Sequence, residues 1–368
     1  MAQTNSMKIA VFPGDGIGVE VVAAARQVLD AAQRLTGGFA CDYQELPGGA
    51  MCYRDTGEAL PKAAVNEAAK ADSILLGACG WPDIRYPDGT EIRPQVELRF
   101  IFELFAGVRP IRFYPGTPPT LVNVDQKPID FIIIRESTEG LFASRGSGAN
   151  REVATETLVI TRRNTERLMR FSFDLAEKRK AEGHPGALTC VDKANIFSSM
   201  AFFRSIYDEI GTEFGGVEKD YAYVDAMSLN MVRKPWDYDV MVMENMFGDI
   251  LSDLGAGLIG GMGMAPSGDI GETHAVFQPS HGTAPDIAGK GIANPIAMVL
   301  SGAMMFRHLG EKRGEDKLLA AAALIEQGVE RTMASGGNLP CDLGGTAATG
   351  EIVENIVAAM EAAASATS

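Results

Sequence analysis

Three observations predict an α/β protein whose helices cover a largely parallel sheet. Short apolar runs alternate with helical runs along the chain, the apolar fraction is 46%, and 368 residues leave room for one large or two medium domains. MKIAVF (7–12) is a short buried strand, and VEVVAAARQVLDAAQRL (19–35) follows it as a helix. Further strands are predicted at SILLGA (73–78), IDFIIIR (129–135), ALTCVDK (187–193) and YDVMVM (238–243). Helices are predicted at VELRFIFELFAG (96–107), TRRNTERLMRFSFDLAEKRK (161–180) and NIFSSMAFFRSIYDEIG (195–211). Residues 255–302 are too Gly-rich and too long for a simple connector, and long structured loops often carry function. The Ala-rich tail VAAMEAAASATS is expected to fray after the last helix.

The net charge of −15 opposes binding to nucleic acid or to anionic membranes. An anionic substrate would therefore need a local basic pocket. Five scattered cysteines without a CxxC pair argue against a disulfide framework or a thiolate zinc site, and fit reduced thiols in a cytoplasm. MAQTNSMKIAVF lacks the basic and apolar regions of a signal peptide, and no apolar run reaches membrane-spanning length.

Candidate chemistry lies in five places. In FGDILSDLGAG a helix puts Asp249 and Asp253 on one face, where a hard cation would relieve their repulsion. On spacing alone, a solvated acidic face is the commoner explanation. Arg99, Arg109 and Arg135 sit in apolar surroundings and could form a carboxylate-binding pocket, against the competing role of structural ion pairing. Lys193 follows an apolar strand and is either a proton carrier or an exposed strand-end lysine. GDGIG (14–18) matches GxGxxG poorly, so a tight turn with close backbone approach is favoured over a Rossmann nucleotide site. HGTAPDIAGKGIANP could cradle a nucleotide, with Asp286 accepting from ribose hydroxyls.

Together FPGDGIGVEV, LRFIFELFAGVRP, RESTEG, VDKANIF, YVDAM, ENMFGDILSDL and HGTAPDIAGKGIANP resemble the NAD(P)-dependent β-decarboxylating dehydrogenases. That family includes isopropylmalate, isocitrate, homoisocitrate, tartrate and D-malate dehydrogenases. The resemblance runs from about Met7 to Gly350. It implies a two-domain isopropylmalate dehydrogenase-like fold, not a Rossmann fold. A discontinuous first domain (1–104 plus 260–368) would carry the cofactor loop. A second (105–259) would hold the metal-binding residues and the dimer contact.

The resemblance also implies residue roles. Arg99, Arg109 and Arg135 would grip the carboxylates of a small 2-hydroxy di-acid. Asp225, Asp249 and Asp253 would ligate Mg²⁺ or Mn²⁺, with Asp225 and Lys193 delivered by the neighbouring subunit of a homodimer. Lys193 would take part in proton removal from the 2-hydroxyl. Asn195 would lie near the nicotinamide. His281, Gly282, Thr283, Ala284 and Asp286, with Asn294, would bind the adenosine end, and an acid at 286 favours NAD over NADP. Hydride would leave C2 for NAD, and in decarboxylating members the β-carboxylate then departs.

Three departures stand out. Phe142 occupies the place of a tyrosine that normally supplies the C3 proton, and phenylalanine has no proton to give. Three readings follow: another group or water supplies that proton, the oxidation proceeds without decarboxylation, or the chain is a non-catalytic regulatory paralogue. Ile92, Gln95 and Val96 stand where the family selects the C3 substituent, leaving 3-isopropylmalate as the leading substrate and tartrate or D-malate close behind. Gln278 stands where a glutamate is usual.

Overall fold

The computed structural model describes residues 5–122, 124, 127–144, 148 and 152–367. The chain begins with β1 (Asn5–Phe12), α1 (Ile17–Thr36), β2 (Phe39–Glu45), α2 (Ala50–Thr56), α3 (Lys62–Ala68), β3 (Ser73–Leu76) and α4 (Pro94–Ile101). The middle section holds β4 (Ala106–Arg112), β5 (Asp130–Glu136), α5 (Arg162–Ala181), β6 (Ala187–Asp192), α6 (Ser198–Ile210), β7 (Glu218–Tyr223), α7 (Val224–Arg233), β8 (Val240–Met243) and α8 (Asn245–Leu258). It closes with β9 (Pro266–Ile270), β10 (Ala275–Pro279), α9 (Ile296–Arg313), α10 (Asp316–Ala334) and α11 (Thr349–Thr367).

All ten strands join one sheet in the order β2-β1-β3-β10-β9-β4-β5-β8-β6-β7. Pairing is parallel on both flanks and antiparallel only where β10, β9, β4 and β5 meet. The predicted largely parallel α/β sheet is therefore present, and its direction reverses at the centre.

Three local expectations need correction. The helix expected over 96–107 ends at Ile101, and its last two residues already belong to β4. Glu103, with φ +48°, makes the turn between them. The Gly-rich stretch 255–302 is not one loop: about half of it is regular, with β9, β10 and the start of α9, and residues 280–295 form the irregular loop between β10 and α9. The tail does not fray within the described residues, since α11 runs to Thr367 and buries Ile356, Met360 and Ala363. α9 is buried on nearly every side, so its sequence shows no amphipathic period.

His308 of α9 lies against Phe277, with ring centroids 5.7 Å apart. It borders a cavity of about 580 Å³ on the sheet face that carries Val108, Pro110 and Ile132. Burial pushes its imidazole from the ordinary 6.5 down to about 4. Between those values the unfolded chain binds a proton that the native chain refuses, so stability is lost as pH falls through this window. His308→Leu is expected to remove up to about 3 kcal/mol of that acid sensitivity. Urea unfolding of both proteins from neutral pH to about pH 4.5 measures it.

Candidate functional site

The sheet face opposite that cavity carries Arg109 and Arg135, and Arg99 reaches it from α4. Gly107 of β4 faces both Arg135 of β5 and Asp269 of β9 in antiparallel register, so Arg109, two residues on, projects to the same side. Arg99 comes from the last turn of α4, which starts on Pro94 at a position where a missing N–H costs nothing. Arg99, Arg109 and Arg135 are 6%, 5% and 3% exposed. Such buried cations need countercharge. Asp269 provides it for two of them, with Arg99 Nε at 3.2 Å from Oδ2 and Arg109 Nη2 at 3.8 Å from Oδ1. Burial would raise the Asp269 carboxyl, but the three guanidiniums outweigh it and hold the group below its ordinary range. Arg109 Nε is buried with no hydrogen-bond partner, so this pocket has donor capacity left to fill.

Arg135 lies beside the start of α8, because it pairs in register with Met243 at the end of β8. Its Nε and Nη2 donate to Asn245 Oδ1 at 3.0 and 2.7 Å, and its Nη1 donates to Asp249. Burial, then the neighbouring arginines, lowers the Arg135 guanidinium to about 10. The Phe142 ring covers this guanidinium at 5.1 Å, in a short 3-10 turn over Leu141–Ala143.

Glu244 caps α8 by accepting from Phe247 N at 2.8 Å. Asn245, Asp249 and Asp253 then recur every four residues along one stripe. Burial first, and the charge of Asp249 second, raises the Asp253 carboxyl. Two repelling, partly exposed carboxylates beside a basic pocket fit a hard divalent cation as donor oxygens.

Asp225 and Lys193 lie elsewhere. Lys193 follows β6 and Asp225 follows β7, where Lys193 Nζ reaches Asp225 Oδ1 at 2.5 Å. That hydrogen bond, above all, holds the Asp225 carboxyl below its ordinary range. β7 is three strand positions from β5, or roughly 14 Å. Among the described residues of one chain, no three His, Cys, Asp or Glu side chains gather as a metal site. Asp192 sets the Lys193 loop by accepting from Ala194 N and from Arg204 at 2.6 and 2.7 Å. Asn195 is exposed in the same loop.

The loop from His281 follows β10 and packs on the turn after β1. Ile17 N donates to Thr283 O at 2.9 Å, and Glu20 of α1 accepts from Gly289 N and from Gly291 N. GDGIG is thus the close-approach turn that was favoured. Its Asp15 accepts from Ala50 N, Met51 N and Gly80 N at 2.7–2.9 Å and ties three loops together. Gly16 has φ +56°, and a Cβ there would stand 2.2 Å from Thr283 O. Gly16→Ala is therefore expected to displace the 281–286 loop, weakening the binding of any nucleotide cofactor held there about tenfold and lowering Tm by a few degrees. Fluorescence titration and a thermal scan check both.

Within the loop, His281 Nδ1 lies 2.9 Å from Gly282 O while Nε2 is buried and unpartnered. Ala284 has φ +37°, and Asp286 is exposed. Asn294 turns inward, donating to Asp342 at 3.1 Å and accepting from Ile296 N at 3.0 Å. Of the three residues before Arg99, Ile92 is packed in a small core with Ala50 and Ala59, while Gln95 and Val96 are half-buried.

Residues 8–356 match the family described as isocitrate/isopropylmalate dehydrogenase. The chain belongs to this isocitrate/isopropylmalate dehydrogenase family. A 3-isopropylmalate/3-methylmalate dehydrogenase of Methanocaldococcus jannaschii is 39% identical over 350 residues, covering 95% of this chain and 97% of the relative. A protein described as a probable tartrate dehydrogenase/decarboxylase of Agrobacterium vitis is 38% identical, covering 95% and 96%. The crystal structure of isocitrate dehydrogenase from Methylococcus capsulatus superposes with a TM-score of 0.83 at 35% identity, covering 96% and 99%. The chain is accordingly an oxidoreductase acting on CH–OH groups, of the β-decarboxylating dehydrogenase kind.

Two residues beside the three arginines were not singled out from sequence. Asn245, at the start of α8, accepts two bonds from Arg135. Asp269 is a lone acid in a Gly-rich run, and a three-stranded register was needed to place it under two arginines.

Proposed function

We propose that the chain oxidises a malate-type 2-hydroxy di-acid with NAD and a divalent ion, Mg²⁺ or Mn²⁺, with a 3-isopropylmalate-like acid as leading substrate. One observation carries this reading: three buried arginines converge on one sheet face beside the Asp249–Asp253 pair. Arg99, Arg109 and Arg135 bind the two carboxylates and orient C2. Asp249 and Asp253 hold the ion, joined by Asp225 of a second subunit, whose Lys193 carries the 2-hydroxyl proton. When bound, the ion supplies Lewis acidity at that hydroxyl and NAD supplies the hydride acceptor. Asn195 meets the nicotinamide end, and the loop His281–Asp286 the adenosine end. The exposed Asp286 carboxylate suits ribose hydroxyls and opposes a 2′-phosphate.

A cytoplasmic homodimer fits these roles. Leu229 and Val232 of α7 and Ile250 of α8 are exposed apolar residues, as an interface requires. No helix of the described residues is long and apolar enough to cross a membrane. The substrate cleft would lie between the domains 1–104 plus 260–368 and 105–259.

Phe142 favours a second reading, oxidation without loss of CO₂, with tartrate or D-malate as alternative substrates. A panel of 3-isopropylmalate, D-malate, tartrate and isocitrate, assayed for metal-dependent NADH with CO₂ trapped, separates the cases. Intact NAD binding without turnover of any acid would instead mark a regulatory paralogue. Phe142→Tyr keeps the ring over Arg135 and adds a hydroxyl. It is expected to raise CO₂ released per NADH, with a gain of about 100-fold in decarboxylation if the proton is limiting.

A further inference from the structure

The glutamine at 278 has a partner on the neighbouring strand. β9 and β10 pair antiparallel, with Gln278 opposite Ser267, so Gln278 and Asp269 share a face. Gln278 Nε2 donates to Asp269 Oδ2 at 2.7 Å. The same oxygen accepts from Arg99 Nε at 3.2 Å, and Oδ1 lies 3.5 Å from Ser137 Oγ and 3.8 Å from Arg109 Nη2. Asp269 and Gln278 are 1% and 7% exposed. Gly107 makes the room, since a Cβ there would come within 3.2 Å of Asp269 Oδ1 and 2.7 Å of Ser137 Oγ.

A glutamate at 278, usual in the family this chain resembles, would press a second buried carboxylate against Asp269. One of the two would have to take up a proton or move away. In this chain the acid stands on β9 and the amide on β10. Arg99 and Arg109 against Asp269 leave one net positive charge there, while Arg135 is paired separately with Asp249.

We propose that Asp269 and Gln278 form a positioning pair that sets the pose and net charge of Arg99 and Arg109, and so the affinity of the pocket for a dicarboxylate. Asp269 balances the arginines while the pocket is empty. Gln278 orients that carboxylate without adding charge. The pair rests on the reading of these arginines as the substrate's carboxylate grip, and it acts through them without touching the reacting atoms.

The test compares the full chain with Gln278→Glu, Asp269→Asn and the double variant, using D-malate binding by calorimetry, steady-state turnover, and thermal stabilisation by sulfate. Gln278→Glu is expected to weaken D-malate binding about tenfold at about pH 8 and to recover near pH 6, where the carboxyl pair shares a proton. KM should carry the change, with kcat within about threefold. Asp269→Asn should be stabilised by sulfate more than the parent, and Gln278→Glu less. The double variant should return to within about threefold of the parent.

Unchanged affinity with a flat pH profile in Gln278→Glu, or a double variant no better than the worse single, overturns the proposal. If Gln278→Glu does not fold, a folded double variant with near-parental binding supports it, and an unfolded double overturns it. If the parent neither binds nor turns over D-malate or any acid of the panel, the functional reading fails by itself. The sulfate ranking then decides the pair: the stated order supports it and no order overturns it.

Discussion

Mixing two inactive variants, Lys193→Met and Asp253→Asn, is expected to restore about a quarter of parental turnover. In the proposed homodimer each variant would carry the same lesion in both active sites, and each should lose at least about 1000-fold in kcat. If Lys193 and Asp225 of one subunit complete the Asp249–Asp253 site of the other, a heterodimer holds one doubly broken site and one intact site. Random exchange makes about half of the dimers mixed, hence about a quarter of the sites. Observations on one chain motivate the test: Lys193 and Asp225 pair with each other at 2.5 Å, and no three-carboxylate cluster forms among the described residues. NADH formation before and after subunit exchange by mild denaturation and refolding measures it. Persistent inactivity, with mixed dimers verified by native mass spectrometry, would exclude a shared site.

Replacing Arg135 carries the second large effect. Its guanidinium donates twice to Asn245 and once to Asp249, lies under Phe142, and is 3% exposed. Arg135→Met removes a buried cation from this network and leaves Asn245 and Asp249 without their donor. The expected loss in kcat/KM is about 3–5 kcal/mol, or roughly 150- to 5000-fold. Arg135→Lys keeps the charge but cannot donate in a planar fork, so it should recover little of the activity while recovering most of the salt dependence of KM. Steady-state kinetics at two ionic strengths distinguish the two variants. Near-parental kcat/KM in Arg135→Met would remove this residue from the substrate grip.

Legibility followed the range of the interactions. Helices α1, α5 and α6 were found within a few residues of their bounds, because each buries one face and leaves that pattern in sequence. β5, β6 and β8 were visible as apolar runs because both of their faces are covered. β2, β4, β7, β9 and β10 were not predicted. β7 is a mostly exposed edge strand, and β9 is only PSGDI, whose strand character comes from pairing with two neighbours.

By itself the sequence determined the α/β class, the family membership, the acidic surface, the three arginines, and the helical spacing that aligns Asp249 with Asp253. These depend on local periodicity or on motifs that stay contiguous in the chain. Only the tertiary structure decided which arginine meets which acid, that Phe142 roofs Arg135, that Asp225 pairs with Lys193, and that Gln278 answers Asp269. Those partners are up to 170 residues apart. The antiparallel centre of the sheet brings Arg109, Arg135, Asp269 and Gln278 together, and the parallel β6–β7 pair brings Lys193 to Asp225, through registers that no local pattern encodes.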